Sequence, residues 1–315
     1  MIKYDVVLAT WNGAKYLDAQ IDSICTQSLL PSSLIIADDG SSDLTLSIVH
    51  SWQNRTVVPI RLLPTVPRRL GSCRTFERLF SASTAPYVMP ADQDDIWDIS
   101  KAEILVHKML AYEKVFGVET PLLLHTDLRL INSHGDLIAQ SFLRYQGLNP
   151  NLNRWLDIGM QNIVTGCACL FNRACLRDAL PFPNQAVLHD WWLALVTARK
   201  GNVFYIPYAS VNYRQHDSNV VGAKTVYNQI FQRLLNLWSS HSVDALIGPG
   251  LGQLLACHDR YPVNDKHMAQ CLVNLSCTSP FKRISSAMRL NLRKHRWWRT
   301  LGFYIALLYW KPRRS

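Results

Sequence analysis

The sequence has little charge and no long apolar run. Charged residues make up 18% of the 315 residues, below the roughly one quarter that is usual in soluble domains. No stretch reaches the ~18 consecutive apolar residues that a membrane-spanning helix requires. The hydrophobic content of 48% is nevertheless enough to bury a sizeable core, so we predict a folded chain rather than a disordered one.

Two kinds of motif are also missing. The eight cysteines include no C-x-x-C pair, and we predict free thiols in a reducing compartment, with Cys167 and Cys169 on the same face of a strand. Neither G-x-G-x-x-G nor G-x-x-x-x-G-K-[ST] occurs, so a dinucleotide site and a P-loop are unsupported. Residues 1–5 begin directly in a strand pattern rather than a signal peptide, which favours a cytoplasmic protein.

Acidic residues are absent after Asp265. From Lys282 onward there are ten Lys and Arg residues, and the other 23 are balanced by 23 Asp and Glu. The segment 280–315 therefore carries the whole net charge of +10. Its cations stand beside aromatic residues, which predicts peripheral contact with an anionic membrane; packing of a C-terminal helix on the body is the alternative. No nucleic acid is expected, because no nucleic-acid motif is present.

Short apolar runs and helical patterns alternate along the first half. Val6–Ala9 and Leu34–Ala37 are typical of buried parallel strands, and apolar residues at helical spacing follow each run. This alternation predicts an α/β fold with a mostly parallel central sheet and helices on both faces. Strand signals fade afterwards, so we predict a domain of residues 1–222 and a helical extension of residues 223–315.

Polar residues follow three of the predicted strands at their carboxyl ends. They are Thr10-Trp11-Asn12, Asp38-Asp39 and Asp92-Gln93-Asp94-Asp95. Ligands of open α/β sheets bind at this edge, so we predict a ligand site there. Three carboxylates within four residues repel one another unless a cation is present, and Mg²⁺ prefers carboxylate and phosphate oxygens. A solvated turn that caps the following helix is the alternative for both acidic clusters.

These motifs resemble the family 2 glycosyltransferases, and in particular their rhamnosyltransferase-like branch. The resemblance covers about residues 3–222, in the family's order. Beyond the strand ends, it rests on Thr165-Gly166-Cys167, His189-Asp190-Trp191-Trp192, and Tyr213-Arg214-Gln215-His216 with Asn219 and Gly222. It implies a GT-A fold and an inverting enzyme of cell-surface polysaccharide synthesis. Such an enzyme moves a sugar, rhamnose in this branch, from a nucleoside diphosphate donor to a glycan or lipid-linked acceptor.

The resemblance also implies roles for individual residues. The nucleotide-sugar positions match Thr10, Trp11, Asn12, Asp38, Asp39 and Asp92. The positions that hold a Mg²⁺ or Mn²⁺ cofactor match Asp94, Asp95 and His216. Asp190 matches the general base that takes the proton of the acceptor hydroxyl. Helix capping by Asp190 and a surface position for His216 are the alternatives.

Other positions and functions stay open at this point. His125 and Asp127 end the fifth predicted strand, where they could line the acceptor side or be structural, and Lys101 could balance the acidic cluster or lie in solvent. The segment Arg69-Leu70-Gly71 departs from the Asn-x-Gly that the family often has. A non-catalytic sugar-nucleotide or polysaccharide-binding protein of the same fold is the second hypothesis. A nucleotidyltransferase is the third, although it would usually carry a glycine-rich basic loop after the first strand.

Overall fold

The computed structural model describes residues 2–216, 240–277 and 279–310. Its first half consists of β1 (Tyr4–Thr10), α1 (Ala14–Cys25), β2 (Ser33–Asp38), α2 (Thr45–Gln53), β3 (Ile60–Leu62), α3 (Ser72–Ala82), β4 (Tyr87–Ala91), β5 (Ile96–Trp97) and α4 (Lys101–Phe116). Then follow β6 (Leu122–Ile131), β7 (Leu137–Ala139), α5 (Phe142–Gln146), α6 (Trp155–Met160), β8 (Cys169–Asn172), α7 (Arg173–Ala179), α8 (His189–Lys200) and β9 (Asn202–Arg214). The C-terminal region contains α9 (Ser240–Arg260), α10 (Lys266–Leu275), α11 (Pro280–Arg289) and α12 (Trp297–Tyr309).

The strands form one sheet in the order β3-β2-β1-β4-β8-β6-β9-β5, with β7 paired to β6. The first four strands of this order are parallel. Strand β8 is antiparallel to both β4 and β6, and β6 and β9 are again parallel. The predicted α/β sheet with flanking helices and a helical C-terminal region is confirmed. Its parallel part is the half that carries the three polar strand ends.

The core lies on both faces of this sheet, because successive strand residues point to opposite sides. Val6 and Leu8 of β1 join a hydrophobic cluster with residues of α1, α2 and α4. Val7, between them, joins a second cluster with Phe76 of α3 and Trp192 of α8. This second cluster continues into the C-terminal helices through Leu254, Leu272, Phe303 and Leu307. Among the described residues, no helix is long and apolar enough to cross a bilayer.

Two sequence predictions are wrong in detail. The fifth strand does not end near His125, because β6 continues to Ile131 and pairs along that length with β9. The predicted strand over Thr165–Phe171 begins only at Cys169; the preceding residues 166–168 form a 3₁₀ turn. Cys167 therefore does not share a strand face with Cys169, and all eight cysteines are free thiols. Asn219, Gly222 and the predicted boundary at residues 222–223 lie outside the described residues.

Candidate active site

A cavity of about 990 Å³ opens at the carboxyl ends of β1 and β4. It is lined by residues from loops that are distant in sequence, including the β1–α1 loop, the segment after β4 and the start of α8. Eight of the ten predicted site residues line it: Thr10, Trp11, Asn12, Asp39, Asp92, Asp94, Asp190 and His216. The other two, Asp38 and Asp95, lie behind its wall.

Asp38 shapes the turn after β2 rather than facing the cavity. Its carboxylate accepts hydrogen bonds from the Thr10 hydroxyl at 2.9 Å and from the backbone N–H of Ser41 at 2.8 Å. It is 3% exposed. These bonds tie the ends of β1 and β2 together and occupy both carboxylate oxygens. Asp38 is not among the residues that line the cavity, and its contact with the nucleotide-sugar stays a prediction beside this structural role.

Asn12 fastens the neighbouring loop to the same turn. Its backbone has φ of 47°, in the left-handed region that asparagine tolerates better than most residues. Its amide oxygen accepts a hydrogen bond from the N–H of Ser42, and its own N–H donates to the Ser41 hydroxyl, both at 2.8 Å. The two loops at the edge of the cavity thus form a single hydrogen-bonded unit.

Asp39 binds the segment of residues 69–71, which departs from the Asn-x-Gly pattern of the family. Its two carboxylate oxygens accept the backbone N–H groups of Leu70 and Gly71 at 2.7 and 2.8 Å. This clasp places Arg69 in the cavity wall, where its guanidinium carbon lies 3.4 Å from the centroid of the Trp11 ring. The segment 69–71 therefore does face the predicted donor side, through an arginine stacked on an aromatic ring.

Gln93 connects the acidic segment to the β1–α1 loop. Its side-chain oxygen accepts the N–H of Trp11 at 2.8 Å, and its amide nitrogen donates to the carbonyl of Trp11 at 3.0 Å. Gly13 provides the space for this contact, because a Cβ there would lie 2.2 Å from the Gln93 oxygen. The sequence pattern indicated Gln93 only as a member of the acidic segment 92–95 and gave no sign of its bonds to Trp11.

Asp94 and His216 meet at the cavity surface although 122 positions separate them. The Nε2 atom of His216 lies 2.8 Å from Oδ2 of Asp94. The carbonyl of Asp94 accepts a hydrogen bond from the guanidinium of Arg214 at 2.9 Å, which anchors the acidic segment to the end of β9. An imidazole and a carboxylate that face one cavity are suitable ligands for Mn²⁺, and carboxylates also suit Mg²⁺.

Asp95 turns away from this pair. It is 1% exposed, and one of its oxygens accepts the N–H of Arg214 at 3.1 Å. Its ligand atoms come within 4.8 Å of those of Asp92 and Cys167, a second arrangement that could hold a metal. Burial and the two carboxylates raise the pKa of the Cys167 thiol well above its usual value. The structure brings Asp94 and His216 together at the cavity and leaves Asp95 out of the cavity lining; the assignment of Asp94, Asp95 and His216 to a metal stays a prediction.

Lys101 supplies a cation beneath the acidic cluster. Its side chain is fully buried, with Nζ donating to the carbonyl of Cys167 at 2.5 Å and lying 3.1 Å from the centroid of the Trp97 ring. Burial lowers its pKa to about 7, while Asp95 and Asp92 act in the opposite direction. Burial and the neighbouring Asp94 raise the pKa of Asp92 to about 7. Of the two alternatives for Lys101, the position near the acidic cluster is confirmed.

Asp190 stands at the N-terminus of α8 and faces the cavity. Its carboxylate accepts the N–H of Gly166 at 2.9 Å, the N–H of Trp191 at 2.6 Å and the side-chain amide of Asn162 at 3.2 Å. Burial raises its pKa to about 6, and these three donors oppose the rise. Oδ2 of Asp190 accepts only the bond from Gly166, so it keeps a lone pair that can take a proton. Asp190 lies inside the first turn of α8, whose N-cap is Leu188, so the alternative of an N-cap role is wrong, and base catalysis stays a prediction that the free lone pair permits.

His189, beside this carboxylate, is a buried residue of the cavity wall. Its ring stacks on Phe76 with 3.7 Å between centroids. Neither ring nitrogen has a hydrogen-bond partner among the described residues, and burial lowers the pKa of the ring to about 3. A Cβ at Gly166 would lie 2.5 Å from Nε2 of His189, so this close approach requires glycine.

Residues 161–164 also line the cavity, and no motif indicated them. They lie in an irregular segment after α6, where no periodic pattern exists to detect. By contrast, His125 and Asp127 do not line the cavity. His125 is buried within β6, and Asp127 accepts hydrogen bonds from the Ser141 hydroxyl at 2.5 Å and from the N–H of Leu143 at 3.1 Å. Of the two alternatives for these residues, the structure supports the structural role.

Comparison with solved structures identifies the fold. TarS 1-349 of S. aureus, solved in complex with UDP, is similar with a TM-score of 0.54 and 15% identity, over 98% of this chain and 90% of that one. The mannosyltransferase PcManGT of Pyrobaculum calidifontis, solved with GDP-Man and Mn²⁺, is similar with a TM-score of 0.51 and 15% identity, over 97% and 85% of the two chains. At these identities the likeness concerns the fold alone, which is GT-A.

Sequence comparison identifies the family. The chain is 25% identical over 244 residues to the dTDP-rhamnosyl transferase RfbG of Shigella flexneri, which is 72% of this chain and 78% of that protein. The family model for Glycosyl transferase family 2 matches residues 5–177, a span that reaches from β1 through the acidic cluster into α7. The chain therefore belongs to glycosyl transferase family 2.

Proposed function

We propose that this protein is an inverting, metal-dependent glycosyltransferase that transfers a sugar from a nucleoside diphosphate to an acceptor hydroxyl. One observation carries the proposal: Asp190 faces the same cavity as the Asp94–His216 pair without belonging to it. The hydrogen bonds of Asp190 go to Gly166, Trp191 and Asn162 instead. A general base needs this arrangement, since a carboxylate consumed by a metal cannot accept a proton.

The donor would lie along the edge formed by the first two loops. Trp11 offers a partly exposed indole and Arg69 a guanidinium, which suit a nucleobase and phosphate oxygens respectively. Asp92, Asp94 and His216 would hold a Mg²⁺ or Mn²⁺ ion on the diphosphate. When bound, this ion would offset the negative charge that grows on the departing nucleoside diphosphate.

In the transfer step, the acceptor oxygen attacks the anomeric carbon from the face opposite the diphosphate. Asp190 takes the proton of the acceptor hydroxyl as the new carbon–oxygen bond forms. The bond from the anomeric carbon to the diphosphate oxygen breaks, and its electron pair leaves with the diphosphate. A single displacement of this kind inverts the configuration at the anomeric carbon.

The donor, acceptor and location are narrower parts of the proposal. The dTDP-rhamnosyl transferase among the relatives makes dTDP-rhamnose the first donor to test. The acceptor is a glycan or a lipid-linked sugar of a cell-surface polysaccharide. The protein would act in the cytoplasm at the membrane face, with residues 280–315 in peripheral contact with anionic lipid, because these residues carry the net positive charge.

The test is a donor screen that measures release of the nucleoside diphosphate. It would compare dTDP-rhamnose, UDP-GlcNAc and GDP-mannose with Mn²⁺, with Mg²⁺ and with a chelator. We expect turnover of one donor that the chelator abolishes and that Asp94→Asn and Asp190→Asn lower by at least about 100-fold. Asp22→Asn, at an exposed position of α1, is the matched control.

A non-catalytic binding protein of the same fold gives a different result. It would bind a donor without releasing the nucleoside diphosphate, with Mn²⁺ and with Mg²⁺ alike. This outcome would contradict the enzyme proposal while leaving the fold and the family untouched.

A further inference from the structure

The last helix, α12, has two faces of opposite character. Phe303, Ala306 and Leu307 are buried against the body of the protein. The opposite face exposes large apolar residues at helical spacing: Trp297 (79%), Leu301 (52%), Ile305 (40%), Leu308 (41%) and Tyr309 (70%). We call these five residues the α12 stripe. Contiguous exposed apolar surface of this kind marks an interaction site on a soluble protein.

The surroundings of the α12 stripe are positively charged. Arg293 and Arg296, just before the helix, are exposed, as are Lys282 and Arg289 of α11. No acidic residue occurs anywhere after Asp265. A row of leucine, isoleucine and aromatic side chains beside arginines is complementary to the boundary between the acyl chains and headgroups of an anionic bilayer.

The start of α12 is bonded to the wall of the cavity. The N–H of Asn149 donates to Nδ1 of His295 at 2.7 Å, and the N–H of His295 donates to the side-chain oxygen of Gln161 at 3.3 Å. The guanidinium of Arg299 donates to the carbonyl of Gln146 at 3.0 Å. Both Gln146 and Gln161 line the cavity. The start of α12 therefore adjoins the cavity wall at Gln146 and Gln161, which we call the rim.

This part of the rim belongs to the acceptor side. The acceptor hydroxyl has to reach Asp190, and Asp190 is hydrogen-bonded to Asn162, the neighbour of Gln161. A short path thus leads from the proposed base through residues 161–162 to His295 and on to Trp297, the first residue of the stripe.

We propose that the α12 stripe docks on an anionic bilayer and that the cavity takes a lipid-linked sugar acceptor from that bilayer. The acceptor half rests on the proposed function; the docking half stands on the surface alone. The sugar of such an acceptor lies at the headgroup level. When the protein is docked, the cavity and the lipid-linked acceptor are held on the same membrane surface. They then meet by diffusion in two dimensions, which raises the effective concentration of the acceptor near Asp190.

The first experiment measures docking without any turnover. The full chain is sedimented with vesicles of phosphatidylcholine, with and without phosphatidylglycerol. We expect binding that requires the anionic lipid, that falls at least about tenfold in the triple variant Leu301→Gln, Ile305→Gln, Leu308→Gln, and about fivefold in Arg293→Gln. The matched control is Val57→Gln, Val115→Gln, Val118→Gln, which changes three valines at least as exposed elsewhere. Equal binding of the triple variant and the wild type would overturn docking through the stripe.

A second experiment tests whether a bilayer docked on the α12 stripe reaches the cavity rim. Hydrogen–deuterium exchange of the amides of residues 143–149 should slow when anionic vesicles are added, while residues of α2 keep their rates. Unchanged exchange at 143–149 would show that a docked bilayer does not reach the rim, and would overturn the link between the stripe and the cavity.

The acceptor half is tested with one sugar on two carriers. N-acetylglucosamine on a long prenyl diphosphate in anionic vesicles is compared with the same sugar on a methyl aglycone in water. We expect the triple variant to lose at least about tenfold in rate on the vesicle-held sugar and nothing on the soluble one. An equal loss on both carriers, or an unchanged rate on the vesicles, would overturn the acceptor class. Release of nucleoside diphosphate with the soluble sugar reports the proposed transfer independently of either outcome.

Discussion

At the scale of single residues, Asp190 combines features that oppose each other. Burial disfavours its charged form, and three hydrogen-bond donors favour it, so its pKa rises only to about 6. A carboxylate with this pKa is mostly ionised at neutral pH and is more basic than an ordinary aspartate. Both properties serve a residue that has to remove a proton from a hydroxyl group.

Replacing this carboxylate by its amide tests the role directly. We expect Asp190→Asn to lower the single-turnover rate by about 10²–10⁴-fold, because an amide cannot take the proton. Donor affinity should change little, since Asp190 is not among the residues that we propose to hold the donor or its metal. Calorimetric titration of the donor separates the two effects, and a loss of affinity as large as the loss of rate would contradict the assignment.

The pH dependence of the rate follows from the same pKa. The active form of Asp190 is ionised, so the rate should fall tenfold per pH unit below about pH 6 and level off above it. The measurement uses saturating Mn²⁺, because a bound cation keeps Asp92 ionised and removes its own titration from this range. The residual rate of Asp190→Asn should not change with pH in the range where the wild-type rate falls. If the variant shows the same fall below about pH 6, another group is responsible for it.

Eight of the ten residues that the sequence singled out line the cavity, but most of the other lining residues carried no signal. Asp94 and Asp190 stand in recognisable motifs at the ends of predicted elements, whereas Asn162 lies in an irregular segment whose position depends on tertiary contacts alone. The family resemblance matched Asp38 and Asp95 to ligand-binding positions together with their neighbours Asp39 and Asp94. Adjacent residues leave a strand end in different directions, and only the folded chain shows which of them faces the cavity.

At the scale of elements, the cavity is built from loops that hold one another. The β1–α1 loop is bonded to the turn after β2 through Asn12 and to the segment after β4 through Gln93. Parallel strands bring these loops to the same edge of the sheet, but the hydrogen bonds between them set their final positions. Gly13 is the point where the approach is closest.

Substitution of Gly13 by alanine should separate two of these loops. Its Cβ would lie 2.2 Å from the Gln93 oxygen, so Gln93 must release the backbone of Trp11. We expect donor affinity to weaken at least about tenfold and the free energy of unfolding to fall by about 1 kcal/mol, because two hydrogen bonds are lost. Calorimetric titration measures the donor affinity, and urea denaturation measures the free energy of unfolding.

The second member of a double-mutant cycle is Gln93→Ala. It removes the clash partner, so Gly13→Ala should cost little more in that background. Additive effects of the two substitutions would contradict the account, since they would show that Gly13 acts independently of Gln93.

Element types were predictable along the first half because strand runs and helical periodicity alternate there clearly. The differences arise where periodicity is not informative. The continuation of β6 beyond His125 carries Thr126, Asp127 and Arg129, which look like a strand end in sequence; pairing with β9 keeps them in the sheet. The 3₁₀ turn at residues 166–168 lies within an apolar run that cannot be told from a strand.

At the scale of the whole molecule, the C-terminal helices share a core with the sheet. Val7 of β1 and Leu307 of α12 belong to one cluster of buried apolar residues. Packing on the body and an exposed apolar face therefore coexist in α12, because each uses a different side of the helix. The two alternatives that the sequence left for the tail are not exclusive.

A pair of neighbouring leucines tests this shared core. Leu307 is fully buried, whereas Leu308 is 41% exposed. We expect Leu307→Ala to cost about 2–5 kcal/mol in the free energy of unfolding of the whole chain, and Leu308→Ala less than about 1 kcal/mol. Circular dichroism and tryptophan fluorescence should report the same midpoint in urea. A separate transition for the C-terminal helices, or an unchanged main transition in Leu307→Ala, would show that they fold independently.

The clasp of Asp39 has a consequence for how this protein can change. Two of its contacts go to main-chain amides, at Leu70 and Gly71, and a third joins its Oδ2 to Nε of Arg69 at 3.6 Å. The two main-chain bonds can form with any side chain at position 69. A replacement at Arg69 keeps those bonds but removes the ion pair with Asp39 and the contact with the Trp11 ring together. One substitution at this position therefore changes both the shape and the charge of the cavity wall.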